Sequence, residues 1–437
     1  MKLPVLFPEL KGQRYDCQQC GRGCRELVVY LTERDRNKID RQKWADKLEY
    51  LPYVLFGRSF VLNHKANGDC VFLREDNLCA IHAEFGFTEK PLSCQLFPFT
   101  LEPEGDGLRV SVRFDCPPIA RNTGSALAKH RHDVVRIAGD LKAAAPKELA
   151  APARPAELTA GRALSDDELD SLVRHLDGWV RNENLPIIDR LVGLKNLVDT
   201  LETAKLGNIR GKELDELVGM LTDDLPNVVE SFDTRSLTPP TPKQLTLFRH
   251  AVFAHCENIR LEEASARLFK RFWYRLDQYK RARQLAGGTG SIPRLVRSHG
   301  GGAFEQLEQV RPHPELSVRD CDSLLTRYLR TRITGRTAFG GGYFGWPVLD
   351  GLRALLLAIA VTGWVTRYVA LGDERGTFTY DDLVCAIGIV DRNATRSPEL
   401  GLRPARLRLR YLWQDGGILR LLYTYPIPRS GSADDAE

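Results

Sequence analysis

The sequence predicts an α+β protein: a small, irregular, cysteine-rich metal-binding domain followed by a mainly α-helical domain. Three observations carry that expectation. Seven of the ten cysteines lie before residue 117, at Cys17, Cys20, Cys24, Cys70, Cys79, Cys94 and Cys116. In the same stretch apolar runs are short and broken by Gly, Pro and Asn, whereas beyond residue 164 apolar residues recur at three- and four-residue spacing. The chain is 437 residues long, more than one typical core holds. Expected borders are 1–125 for the cysteine domain, 126–163 for a helical extension with an Ala/Pro-rich linker, 164–425 for the helical domain and 426–437 for a disordered tail.

Taken in order, "ELVVYLT" reads as a strand entering a helix that begins near Thr32. "FVLNHKANGDCVFL" carries the Asn67-Gly68 turn signal of a hairpin, and "LRVSVRFDC" alternates as a strand does. Such a domain has little apolar surface to bury, and a bound metal or cluster would supply the missing staple. Ala143 to Ala163 is rich in Ala and Pro and reads as a linker. Ser165 before "DDELDSLVRHL" is an N-cap followed by an acidic first turn. Helical patterns follow in "LPIIDRLVGLKNLVDTLE" and "GKELDELVGMLTDDL". One long pattern runs from Thr241 to a Gly pair at 287–288, and further ones cover Cys321 to Ile333, Val348 to Ala370 and "TFTYDDLVCAIGIVDRN".

Composition narrows the function. Hydrophobic residues make up 43% and charged residues 27%, with a net charge of only +5, so no global field marks a nucleic-acid or membrane-surface protein. Residues 260–336 do hold 16 Lys and Arg against 8 Asp and Glu, which reads as a solvated helical face. The opening "MKLPVLFPELKG" has no apolar core of a secretory signal. "ALLLAIAVTGWV", Ala354 to Val365, is shorter than the about 20 residues a bilayer needs and reads as a buried core helix. A cytoplasmic, reducing location is the resulting expectation, and there clustered cysteines are metal ligands more often than disulfides.

Cys17, Cys20 and Cys24 are spaced C-x2-C-x3-C, with Gly21 and Gly23 able to bring backbone amides close to the sulfurs. Thiolates several residues apart on a turn can face one zinc ion or the iron of a cluster. A thioredoxin-type pair does not accommodate the third cysteine and the glycines, and the spacing is reversed relative to the radical-SAM C-x3-C-x2-C. Cys256, Cys321 and Cys385 sit singly in apolar helical patterns and are expected in the core.

"CQQCGRGC" followed by "CVFLREDNLCAIHAEFGFTEKPLSCQLFPF" resembles the YkgJ-type cysteine-cluster family of zinc- or iron-chelating domains. The resemblance spans about residues 15 to 116. It rests on Cys17, Cys20, Gly21 and Cys24, then Cys70, Phe72 and Leu73, then Cys79 and Ile81, then Pro91, Cys94, Phe97 and Pro98. Gly23 stands where the family has the first cysteine of a pair, His82 where it has tyrosine and Lys90 where it has arginine. Seven thiols remain. With His82 as an eighth donor they would complete two tetrahedral sites; alternatively four thiols hold one [4Fe-4S] cluster and the others support it. More narrowly, a cysteine domain ahead of a long helical region is similar to the FliB-type flagellin lysine N-methylases. That likeness implies S-adenosylmethionine as cofactor, flagellin as partner and methyl transfer to protein lysines.

Other stretches promise less. "AGGTGSI" and "FGGGYFG" follow no clear strand and read as connections between helices, not nucleotide-binding turns. "FKRFWYRLDQYKR" mixes aromatic and basic residues as a base-stacking surface does. Its Phe269, Phe272, Trp273 and Leu276 share one stripe, however, which reads as core. His250 and His255 project about 140° apart on a helix, too far to share a metal. Two functions stand: a structural or redox-active metal domain joined to a partner-binding helical domain, or a methyltransferase built from both.

Overall fold

In the computed structural model the described residues are 4–7, 12–25, 27–147, 149–150, 154–204, 206–257, 261, 268–394 and 396–428. Two compact units emerge, one of residues 1–151 with 258–280, the other of 152–257 with 281–437.

Short elements build the first unit. Strand β1 (Val5–Leu6) runs parallel to β6 (Gly107–Val112), which pairs antiparallel with β5 (Phe99–Glu104). In addition, β2 (Arg14–Tyr15) pairs with β7 (Ser125–Ala126), and β3 (Tyr53–Phe56) with β4 (Ser59–Leu62). The expected "LRVSVRFDC" strand is therefore β6. "ELVVYLT" reaches no further than a single bridge, Tyr30 to Val61. The Asn67-Gly68 turn closes a one-bridge hairpin between His64 and Cys70, in which Lys65 N donates to Asp69 O at 2.7 Å.

Helix α1 (Glu33–Arg41) starts where Thr32 predicts. Its cap is reciprocal: Asp35 N donates to Thr32 Oγ1 at 3.1 Å and Thr32 N donates to Asp35 Oδ2 at 3.0 Å. Three short helices follow, α2 (Ala80–Phe85), α3 (Leu92–Leu96) and α4 (Pro117–Arg121), and then the longer α5 (Arg131–Ala144). A small core of Ile39, Trp44, Leu62, Val71, Phe72, Leu73 and Ile81 also includes Cys70.

The second unit is helical: α6 (Asp166–Val180), α7 (Ile187–Thr203), α8 (Gly211–Glu230) and α9 (Pro242–Cys256), with Ser165 and Thr241 forming capping boxes. The long pattern from Thr241 does not stay one helix. Glu257 leaves helical dihedrals and ends α9, and α10 (Leu268–Gly287), whose residues up to 280 belong to the first unit, takes up the remainder. Farther on come α11 (Val318–Thr334), α12 (Val348–Gly372), α13 (Tyr380–Ala394), α14 (Arg403–Trp413) and α15 (Gly417–Thr424). Every residue of α12 from Val348 to Ala370 is buried, and it packs on α7, α9, α13 and α15. Its length and composition would suffice to cross a bilayer, yet its apolar window is wholly inside the unit. Both glycine-rich stretches lie between helices, as expected.

Four expectations need correction. Phe269, Phe272 and Trp273 are 74%, 61% and 54% exposed, so the aromatic stripe of α10 is not core. Helical spacing shows which residues share a face, not what covers it. The stretch read as a linker is ordered at both ends: Ala143 and Ala144 end α5, and Glu157 bridges Ala163. Its buried Leu158 accepts from Leu349 N at 3.1 Å, while Glu157 O accepts from Val348 N at 2.7 Å. Cys256 and Cys321 are buried, but Cys385 is only half-buried. Of the tail, Ile427 and Pro428 are buried, and 429–437 lie outside the described residues.

Candidate metal centre

The stretch that carries Cys17, Cys20 and Cys24 turns sharply twice, because Gln19 and Gly21 both take positive φ. A single 3-10 turn over Arg22–Cys24 then delivers Cys24 beside the hairpin: Cys70 N donates to Cys24 O at 2.8 Å. Arg25 secures the junction, its guanidinium meeting Asp69 Oδ2 at 2.9 Å and Asn77 Oδ1 at 2.6 Å. Next, the chain from Cys70 to Cys79 folds onto itself, with Leu73 bridging Cys79 and Ala80 N donating to Phe72 O at 2.8 Å. Asp35, having capped α1, uses its other oxygen to accept from Leu92 N at 3.0 Å, which fixes the start of α3 and so Cys94.

Four thiols thereby share one neighbourhood. Cys70 is part of the small core, and Cys24, Cys79 and Cys94 pack against it. Their charges act on one another. Burial pushes the Cys24 thiol up to about 11, with Cys79 adding to the rise and the Lys90 ammonium opposing it. Burial also raises Cys94 and Cys70, and each feels the charge of Cys24 and Cys79. Four mutually repelling thiolates in a desolvated pocket are unfavourable alone and become favourable around a cation. The donor set therefore fits zinc or iron.

Cys17 and Cys20 also add to the rise of Cys24, and together with Cys116 they have further neighbours. Cys116 is the buried N-cap residue of α4. Cys17 and Cys20 are exposed, and the chain before them is tied to the residues after α4. Arg14 N donates to Asn122 Oδ1 at 2.7 Å, Gln18 Nε2 to Thr123 Oγ1 at 3.0 Å and Ser125 N to Asp16 Oδ2 at 2.8 Å. A Cβ on Gly124 (φ 103°) would lie 2.4 Å from Asp16 N, so only glycine allows this approach. Burial raises the Cys116 thiol, and the charges of Cys20 and Cys17 act in the same direction. Buried Tyr15 joins them: burial first, then Cys116, Cys17 and Cys20 raise its phenol, which shares a hydrogen bond with Cys17. His130 Nε2 donates to Tyr15 O at 2.8 Å and holds that strand in place. The grouping is one of neighbourhoods; among the described residues no three donor side chains already converge at the distances of a bound ion.

His82 is exposed on α2, and its ring stands edge-on to Phe87 with 5.9 Å between centroids. The structure gives it an aromatic neighbour, where the eighth-ligand expectation needs a sulfur one. His64 Nε2 lies 3.0 Å from Leu27 O and serves the backbone. Sequence reasoning had no signal for Tyr15, His130 or Asp35, whose parts depend on contacts between distant segments. Lys90 and Phe97 did stand inside the quoted motifs.

Residues 16–117 match the model of the CxxCxxCC family, described as "Putative zinc- or iron-chelating domain". An uncharacterized protein of Methanocaldococcus jannaschii is 36% identical over 99 residues, 22% of this chain and 33% of that protein. The chain thus spans about a third of the length of the curated relative it matches. No solved structure matches. The cysteine region is thus similar to a zinc- or iron-chelating domain, a likeness that covers residues 16–117.

Proposed function

We propose that this is a metal-binding protein whose first unit is held together by thiolate-bound zinc or an iron–sulfur cluster at Cys24, Cys70, Cys79 and Cys94. Its helical unit, on this reading, docks a partner in the cytoplasm. One observation carries the metal assignment: four thiols from three separate stretches of chain lie in or against one small core of that unit. Thiolates of this kind neutralise zinc or iron and cross-link the segments that carry them.

The chain's own residues account for the rest. Asp35 and Arg25 position Cys94 and Cys24 by the hydrogen bonds described above. Lys90 offsets negative charge beside Cys24 and Cys94. Trp44 and Phe72, edge-to-face at 5.2 Å, keep water from one side of the set.

Anaerobic purification with elemental analysis tests this. Stoichiometric zinc in a colourless protein, or iron and sulfide in a brown one, is expected. Cys94→Ser should lose that metal and Cys321→Ser should keep it. Equal metal in both variants would contradict the assignment.

A further inference from the structure

The glycine-rich segment 339–345, which the metal centre does not use, helps to line a cavity of about 580 Å³ in the helical unit. The segment is a closed loop: Gly345 N donates to Gly340 O at 2.8 Å, and Gly340 N to Trp346 O at 2.8 Å. It brings Phe344 and Trp346 to the cavity, with buried Tyr343 edge-on to both, 5.1 and 5.4 Å between centroids. Phe344 takes a positive φ of 50°, a costly conformation for a bulky residue, and is still 36% exposed. Gly401 lets its ring lie close, since a Cβ there would stand 2.5 Å from it. The loop's part is thus to place aromatic rings, not to cradle a ligand with its backbone.

Helix α14 supplies a cationic wall. Arg403, Arg406 and Arg410 recur at three- and four-residue spacing, share one face and all line the cavity. Two of them converge: Arg406 Nε donates to Asp350 Oδ2 at 2.6 Å, and Arg410 Nη2 lies 3.6 Å from the same oxygen. Asp350 also serves Arg353, whose Nη1 donates to Oδ1 at 2.9 Å and which pairs with Glu202 as well. With Arg403, four guanidinium groups accompany two carboxylates, a surplus of two positive charges. No described residue that lines the cavity is acidic.

We propose that this cavity binds a small phosphate monoester with a flat ring, of the size of a nucleoside monophosphate. Guanidinium forks match phosphate oxygens in pairs, and a dianion balances a surplus that a single carboxylate would only halve. Phe344 and Trp346 offer the ring an apolar surface, and the volume lies within the roughly 300–1,000 Å³ usual for small-ligand sites. The site lies wholly in the helical unit and does not depend on the metal assignment.

Calorimetric titration of the full-length protein with adenosine 5′-monophosphate tests this, with inorganic phosphate, adenosine and benzoate as comparison probes. The nucleotide should bind saturably and more tightly than any of the three. Arg403→Ala, an exposed change, should weaken it about tenfold or more, and Arg410→Ala likewise. Phe344→Ala should weaken the nucleotide and leave inorganic phosphate unchanged. Arg235→Ala, an exposed change in the same unit outside the cavity, should alter nothing. No saturable binding of the nucleotide, or equal affinity in wild type, Arg403→Ala and Arg410→Ala, would overturn the proposal. Inorganic phosphate binding as tightly as the nucleotide would overturn the part given to the ring. Adenosine or benzoate binding as tightly would overturn the part given to the phosphate. Metal content, unchanged across these variants, keeps any such failure apart from that of the metal reading.

Discussion

Cysteine serves opposite purposes in the two units. In the first, Cys70 sits in the core with Cys24, Cys79 and Cys94 against it, and each thiol is exposed to the charge of the others. In the second, Cys256 and Cys321 are buried on separate helices, α9 and α11, and act as small hydrophobes. Burial raises the Cys321 thiol to about 12 and keeps it neutral. The difference lies in the neighbours. The short elements around the cysteines cannot bury what α12 buries over Val348–Ala370, and the proposed cross-linking through a metal would supply the missing cohesion.

The largest effect should come from removing the metal. A strong chelator should unfold residues 12–147 and leave the helical unit folded. Hydrogen exchange would show protection lost around Cys70–Cys94 and kept along α12. A structural zinc contributes on the order of 10 kcal/mol in small domains, so a partial loss would already count against the comparison. Simultaneous unfolding of both units would break it.

Acid should release metal from thiolate ligands in the first unit and act on the second by its own route. His255 is buried on α9, its Nδ1 2.8 Å from Ala251 O, and burial pushes its pKa down to about 4. A depressed histidine binds its proton more readily unfolded than folded. Its contribution is therefore complete above the ordinary value near 6.5 and is lost as pH falls towards 4. The cost should approach about 3 kcal/mol by pH 4. Thermal melts of the metal-loaded protein should show the helical unit's midpoint falling over that range, and His255→Phe should flatten the slope. An unchanged slope in that variant would remove His255 from the account.

Cys321→Ser should give the smallest change. It places a hydroxyl in an apolar site and should cost about 1–2 kcal/mol in the helical unit, with metal content unaltered. Loss of metal in this variant would erase the distinction between the two kinds of cysteine.

Much of this was legible in the sequence. Thr32, Ser165 and Thr379 mark helix starts because a cap is a local event; Thr379 N meets Asp382 Oδ2 at 2.7 Å. The seven-cysteine set was legible too, and so was the burial of Ala354 to Val365. Which segments each thiol meets was not. Cys17, Cys20 and Cys24 are neighbours in sequence, but the turn at Gln19 and Gly21 sends Cys24 to Cys70, while Asp16 and Gln18 bind residues 123–125. The exposed stripe of α10 escaped for a related reason. Periodicity orders side chains around a helix axis and is silent about the surface opposite.

The central claim is that four sulfurs and no imidazole hold the metal of the first core. X-ray absorption on the purified metal-loaded protein tests it most directly. The account predicts a first shell of about four sulfurs near about 2.3 Å. A shell containing nitrogen, as ligation by His82 would give, or a protein that holds no zinc or iron, would contradict it.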